Sequence, residues 1–324
     1  MLDLSTVYLG HKLRNPIVAS SSSLTNTPEK VKQLEDAGVG AVSLRSIFEE
    51  EIEGEIEGLE RQEGHTEAWD YIRSAEMSHG LDEYRQLIKG SKAAVSIPVF
   101  ASMNAKSSSF WVDHVKVLED AGADGIELNL SLLPVDYHDT EEKIIRFYID
   151  TVKQVKQRVS VPLAVKIGYY FTSIPSVVDQ LHYAGANAVV MFNRFYQVDI
   201  DVRKERLSSM SPISAPSDYV IPLRWVMLTY GKTPIDLATS SGVHDGRTVV
   251  KMLLAGATVT QVCSTLLKNG VEHLDTMRSE LEAWMRENGY SSVDQFRGKL
   301  SQKRSNRPKS FERIQYVKTV AAHA

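Results

Sequence analysis

The chain has 324 residues, 43% hydrophobic and 24% charged, with 19 glycines, 11 prolines and one cysteine. That composition excludes collagen-like, wholly disordered and disulfide-stapled architectures, and its length suits one α/β barrel or two ordinary domains. With 37 basic against 41 acidic residues, a net charge of −4, it offers no field for a polyanion, so nucleic acid is not an expected partner.

The N-terminal stretch MLDLSTVYLGHKLRNP lacks the apolar core of a secretory signal, and nowhere do eighteen uncharged apolar residues run together. A cytoplasmic protein with no membrane partner is expected. At Pro16 begins NPIVAS, a short apolar run headed by proline, as the start of a strand permits. It leads to VKQLEDAGVGAVSL, a helical stretch that ends on Ala-Gly and passes at once into a second apolar run.

The same unit recurs from Pro98 (IPVFASM, then HVKVLEDAGADGIELNL), from Pro162 (VPLAVKI, then VVDQLHYAGANAVVMFN) and from Pro234 (TPIDLAT, then VVKMLLAGATVTQVCST). From each proline to its glycine (Gly38, Gly122, Gly185 and Gly256) the intervals are 22, 24, 23 and 22 residues. Glycine just past a helix can take the left-handed conformation that turns the chain back. Four strand–helix–strand units give eight strands, and their nearly continuous apolarity fits a parallel sheet covered on both faces. The expected fold is α/β, a (β/α)8 TIM barrel over 1–300 with a C-terminal helical extension. An open doubly wound sheet also alternates strand and helix, but it does not predict four equal units.

Long insertions follow strand 2 (Ser46 to Ile97) and strand 6 (Arg194 to Thr233), both at the carboxyl end of the barrel, where site loops grow. The first carries EEEIEGEIEGLERQEG, read as a solvated hairpin in preference to a metal site. Beyond the barrel, Val271, Leu274, Met277, Leu281 and Trp284 recur at helical spacing and predict an amphipathic helix. Residues 301–324 are basic and read as a tail.

The strand ends place Ala19, Ser20, Ser21, Arg45, Met103, Asn104, Asn129, Ser131, Lys166, Asn193, Ser241, Gly242, Ser264 and Thr265 at the mouth. Lys166, inside PLAVKI, is the sharpest feature, because a buried ammonium needs an anionic or carbonyl partner; facing a ligand and snorkelling to water are the two readings. Ser240-Ser241-Gly242 and Cys263-Ser264-Thr265, after strands seven and eight, suit a phosphate held by backbone amides, or else are simple tight turns. Three amides, Asn104, Asn129 and Asn193, suit a heterocycle edged with carbonyls and ring nitrogens, such as an isoalloxazine or a pyrimidine. Cys263, the single cysteine, can supply neither an intrachain disulfide nor an iron–sulfur cluster.

In RNPIVASS, GADGIELNLS, VPLAVKI, SSGVHDGRTVVKMLLAGATVTQVCSTLL and AWMRENGYSSVDQFRGK the chain resembles the dihydroorotate dehydrogenase family of FMN-dependent barrels, over about 300 of its 324 residues. The resemblance implies that FMN is the cofactor and that Ala19 and Ser20 contact it. Asn104 and Asn129 would bind its ring system or ribityl chain, and Lys166 would face its N1–C2 edge. Ser241, Gly242, Cys263 and Ser264 would hold its phosphate, with Thr265 beside them. Asn193 matches an asparagine that reaches both substrate and flavin, so Asn129 and Asn193 are the implied substrate contacts. A homodimer is implied as well.

Three departures stand beside it. The family usually places a Cys or Ser base after Asn-x-Ser, and here Leu132 stands in that position, leaving Ser131, Tyr137 and His138 as substitutes; His138 is the one whose ordinary pKa suits a base at neutral pH. Arg45, an implied cofactor contact, replaces a lysine at the end of strand two, keeping the charge but altering shape and reach. The substrate loop Asn-Ser-Met-Gly survives in YIRSAEMSHGLDEY only as Met77 and Gly80. The expectation is an FMN-dependent oxidoreductase on CH–CH donors whose small-molecule substrate is altered or left open, since Leu132 stands where the base for dihydroorotate belongs. Two alternatives stay open: a flavin-binding subunit or electron-relay protein without turnover of its own, and a phosphate-barrel isomerase or aldolase using Lys166; a separate electron-transfer subunit is a further partner to test for.

Overall fold

A computed structural model describes residues 2–49, 80–104, 108–130, 132, 134–194, 198–209 and 213–312. An N-terminal hairpin comes first, β1 (Thr6–Tyr8) and β2 (His11–Leu13). Its two-residue turn has positive φ at both positions, Leu9 at 51° and Gly10 at 77°, which matches the twist of the flanking strands.

Eight parallel strands then close into a barrel: β3 (Ile17–Ala19), β4 (Ala41–Phe48), β5 (Val99–Asn104), β6 (Gly125–Asn129), β7 (Leu163–Ile167), β8 (Ala188–Met191), β11 (Asp236–Thr239) and β12 (Val259–Val262). Sequence neighbours pair in turn, β8 pairs with β11, and β12 returns to β3. This is the (β/α)8 barrel, not the open sheet. The helices are α1 (Pro28–Asp36), α2 (Leu81–Ala94), α3 (Ser108–Asp120), α4 (Glu141–Lys156), α5 (Ile174–Ala184), α6 (Val220–Thr229), α7 (Gly246–Ala255), α8 (Ser264–Asn269) and α9 (His273–Glu287). The four unit glycines, Gly38, Gly122, Gly185 and Gly256, all have φ between 99° and 122° at helix ends.

Period-two alternation divides the strands between two cores. Val42, Leu44, Leu128, Val165, Ile167 and Val189 point outward to the helices. Val18, Ala41, Phe100, Ala164, Ala188, Val190, Ala238 and Val259 fill the interior together with Tyr8, Leu9 and Leu13 of the hairpin, so β1–β2 packs into the barrel core. Tyr8 meets Phe100 edge to face at 5.8 Å, and the Leu9 amide donates to Asp236 Oδ2 at 3.0 Å.

The first two units share one further device. Glu35, at the end of α1, accepts from the amides of Ser96 and Ile97 before β5, and Glu119, at the end of α3, accepts from those of Ser160 and Val161 before β7.

Each insertion contains the helix its unit requires, α2 in the first and α6 in the second; the second also carries an unforeseen hairpin, β9 (Val198–Asp201) with β10 (Arg206–Ser209). Of the acidic run, Glu49 alone lies among the described residues, and it is buried. In α9, Leu274, Met277 and Leu281 are buried as their spacing predicts. Met285 takes the fourth buried position, and Trp284 stacks on Tyr290 at 5.5 Å. Ser301 is buried and the Gln302 amide donates to the Met227 carbonyl, so the start of the basic segment lies against α6. Among the described residues no helix is long and apolar enough to cross a membrane.

Candidate functional site

Strand alternation turns Lys166 to the interior with Ala164, and strand register sets Asn129 beside Lys166 and Asn104 beside Asn129. Two of the amides are joined directly, since Asn193 Nδ2 donates to Asn129 Oδ1 at 3.0 Å. Lys166 is 7% exposed, so its ammonium does not snorkel to water. Nζ lies 3.4 Å from Ser20 Oγ, 3.3 Å from Gln261 Oε1 and 3.7 Å from Glu127 Oε1. Gln261 Nε2 donates to the other carboxylate oxygen, Glu127 Oε2, and Ser20 Oγ donates to Gln261 Oε1.

Glu127 and Gln261 are inconspicuous in the sequence because each sits inside an apolar strand run, IELN and VTQV. The cue was available, since a glutamate in a strand buried on both faces needs a cation, and the next strand offers Lys166.

The side chain of Ala19 belongs to the outer core, which leaves its backbone for the mouth. Arg45 is buried within the register shift in the middle of β4, with Nη1 3.4 Å from the Ser46 carbonyl. Ser21 Oγ reaches Ser46 Oγ at 3.2 Å.

At the far side of the mouth Ser241 and Gly242 both have positive φ, 77° and 72°. A Cβ on Gly242 would lie 2.1 Å from the Tyr219 amide nitrogen, so glycine is required there. Ser214, from the second insertion, ties the two loops together: its Oγ accepts from the Gly242 amide at 3.3 Å and its own amide donates to Ser264 Oγ at 3.0 Å. Its hydroxyl also meets His244 Nε2 at 3.0 Å, and Thr265 Oγ1 donates to the His244 carbonyl at 3.0 Å. Burial holds His244 below its ordinary pKa of 6.5, and Lys268 adds to the effect. Cys263 is half-buried and precedes the first turn of α8. A cavity of about 170 Å³ opens between Asn193 and Ser241, with Tyr169, Phe192 and Arg194 in its wall.

Leu132 is half-buried and lines a second cavity of about 170 Å³ with Tyr148 and Phe171. His138 and Tyr137 stand in the exposed loop 134–140, their rings tilted against each other at 4.0 Å. Ser131 and Met77 lie outside the described residues, and Gly80 caps the start of α2. Among the described residues no group of three His, Cys, Asp or Glu is placed to hold a metal.

The dihydroorotate dehydrogenase family model matches residues 3–285. The catalytic subunit of dihydroorotate dehydrogenase B (NAD(+)) from Thermoplasma volcanium is 25% identical over 301 residues, 92% of this chain and 98% of that protein. The corresponding subunit from Methanothermobacter thermautotrophicus is 24% identical over 311 residues, 91% of this chain and 97% of that protein. Dihydroorotate dehydrogenase (fumarate) from Saccharomyces mikatae is 25% identical over 320 residues, 92% and 98% of the two chains. With the family model spanning the whole barrel and these relatives covering nearly their full lengths, the chain belongs to the dihydroorotate dehydrogenase family.

Proposed function

We propose that the protein is an FMN-dependent oxidoreductase that removes two electrons from a CH–CH bond of a small molecule other than dihydroorotate. The observation that carries this reading is the buried Lys166 ammonium beside Ser20, in register with Asn129 and Asn104 at the mouth. Its contacts are long for a buried cation, so it retains hydrogen-bonding capacity toward a carbonyl-edged ring. The donor set fits FMN: amides and an ammonium on one side, and the Ser241–Gly242 turn with Ser264 and Thr265 on the other for a phosphate. When bound, FMN supplies the two-electron acceptor.

The chain's own residues do the rest. Asn129 and Asn193, already hydrogen-bonded to each other, would orient substrate through their remaining donor and acceptor atoms. Lys166 would stabilise negative charge on the reduced ring. Leu132 can take no proton, so dihydroorotate should lose its proton slowly at this site. Purification followed by a visible spectrum tests the cofactor, and anaerobic mixing with dihydroorotate tests the substrate. Colourless protein that takes up no FMN would end the first, and rapid bleaching the second.

A second reading, a flavin-binding subunit or electron relay without turnover of its own, is favoured by Leu132, while two relatives carry the name of a catalytic subunit. Those names support a separate electron-transfer subunit for this chain. Redox activity that appears only on adding a co-purifying protein would select this reading. The homodimer implied by the family belongs to the same proposal, and sedimentation measures it.

A further inference from the structure

Glu127 lies in the middle of β6 and is 3% exposed; Gln261 lies in β12 and is 2% exposed. Removing a carboxylate from water is costly unless a cation and hydrogen bonds compensate. One side of Glu127 is compensated by the Gln261 amide at Oε2. On the other side Oε1 accepts no hydrogen bond, and the charge it faces is the Lys166 ammonium at 3.7 Å, beyond ordinary hydrogen-bond reach. Gln261 is oriented by both neighbours, its oxygen toward Lys166 and Ser20 and its nitrogen toward Glu127.

The carboxylate is therefore fixed, while the ammonium is held loosely within its field. Lys166 alone would present a full positive charge to the mouth; paired with Glu127, it presents much less. Resting on the flavin reading above, we infer that Glu127 is a positioning residue that holds Lys166 from beneath and competes with the reduced, negatively charged flavin for its charge. Gln261 locks the carboxylate in place for that role. Removing the Glu127 charge should thus leave an uncompensated cation and favour the reduced ring.

In FMN-loaded protein, Glu127→Gln should shift the reduction equilibrium against a reference dye at least tenfold toward reduced flavin, about 30 mV for a two-electron couple. Glu127→Asp, which keeps the charge, should stay close to the parent. A Glu127→Gln variant that binds FMN with an unshifted equilibrium overturns the inference.

The pair is tested separately in FMN-free protein by thermal unfolding of Glu127→Gln, Lys166→Met and the double variant. Each single variant should lose more stability than the double, because each strands one charge in the interior. Additive losses overturn the pairing. Should Glu127→Gln fail to fold, recovery of folding in the double variant supports the pairing and failure there contradicts it. Parent protein that takes up no FMN while the cycle is non-additive ends the flavin reading and, with it, the tuning role.

Discussion

The amide of Leu132 donates to the Tyr148 hydroxyl at 3.2 Å, and that hydroxyl donates to the Leu130 carbonyl at 2.8 Å. One tyrosine from α4 thus pins the backbone on both sides of Ser131. Burial pushes the Tyr148 phenol up to about 12, so it remains a protonated donor through the neutral range. Tyr148→Phe should leave the buried Leu130 carbonyl without this partner and cost about 1–3 kcal/mol, read as a lower urea midpoint. An unchanged midpoint would show that this link does not hold the loop.

With the backbone pinned in this way, the chemistry at position 132 is open to a direct change. Leu132→Cys supplies a proton acceptor where the chain has an aliphatic side chain. A positioned base contributes roughly 10²–10⁴-fold to a proton transfer. Anaerobic stopped-flow should therefore show flavin reduction by dihydroorotate accelerated at least tenfold in the variant. Equal rates in the two proteins would place the obstacle at a position other than 132.

Glu119 carries a pH dependence. Burial opposes its ionisation, but Lys116, Ser160 and Val161 outweigh that and lower its pKa from 4.5 to about 2. The folded state thus binds the proton more weakly than the unfolded chain, so its stabilisation is full above pH 4.5 and is lost as pH falls toward 2. Glu119→Gln should remove that part of the acid unfolding slope in a melting-temperature series. An identical slope would contradict the assignment.

His244 acts nearer neutrality and with a different charge change. Burial favours its neutral form, so its folded pKa lies below 6.5 while the unfolded chain takes up the proton at 6.5. Stability that depends on this group is present above pH 6.5 and declines as pH falls from there to the folded value. Because His244 contacts Ser214, which spans the Gly242 and Ser264 loops, His244→Gln should flatten the stability profile just below pH 6.5. A profile that keeps its slope there would assign the slope to another group.

Much of the architecture is written in punctuation. Pro16, Pro98, Pro162 and Pro234 head strands or stand just before them, and the four Ala-Gly pairs end helices, because the φ constraints of these residues act locally whatever the tertiary context. The β1–β2 hairpin escaped notice because its turn puts a leucine, Leu9, in the left-handed region where Asn or Gly would advertise it. At the mouth, the three asparagines were legible as polar residues after apolar runs, and Lys166 as a cation inside one. Glu127 and Gln261 were not, because their role exists only once β6, β7 and β12 are brought together around one interior. Ser214 was hidden for the same reason: nothing local in SPISAPSDY foretells that it joins two loops from other units.

The most direct measurement is equilibrium titration of FMN-free protein with FMN, followed by flavin fluorescence, for the parent and for Lys166→Met. Saturable one-to-one binding by the parent is predicted, weakened at least tenfold in the variant, with the bound flavin of the parent reducible by dithionite. A parent chain that leaves FMN fluorescence unchanged at saturating concentration, or a Lys166→Met variant that binds as tightly as the parent, would contradict the account.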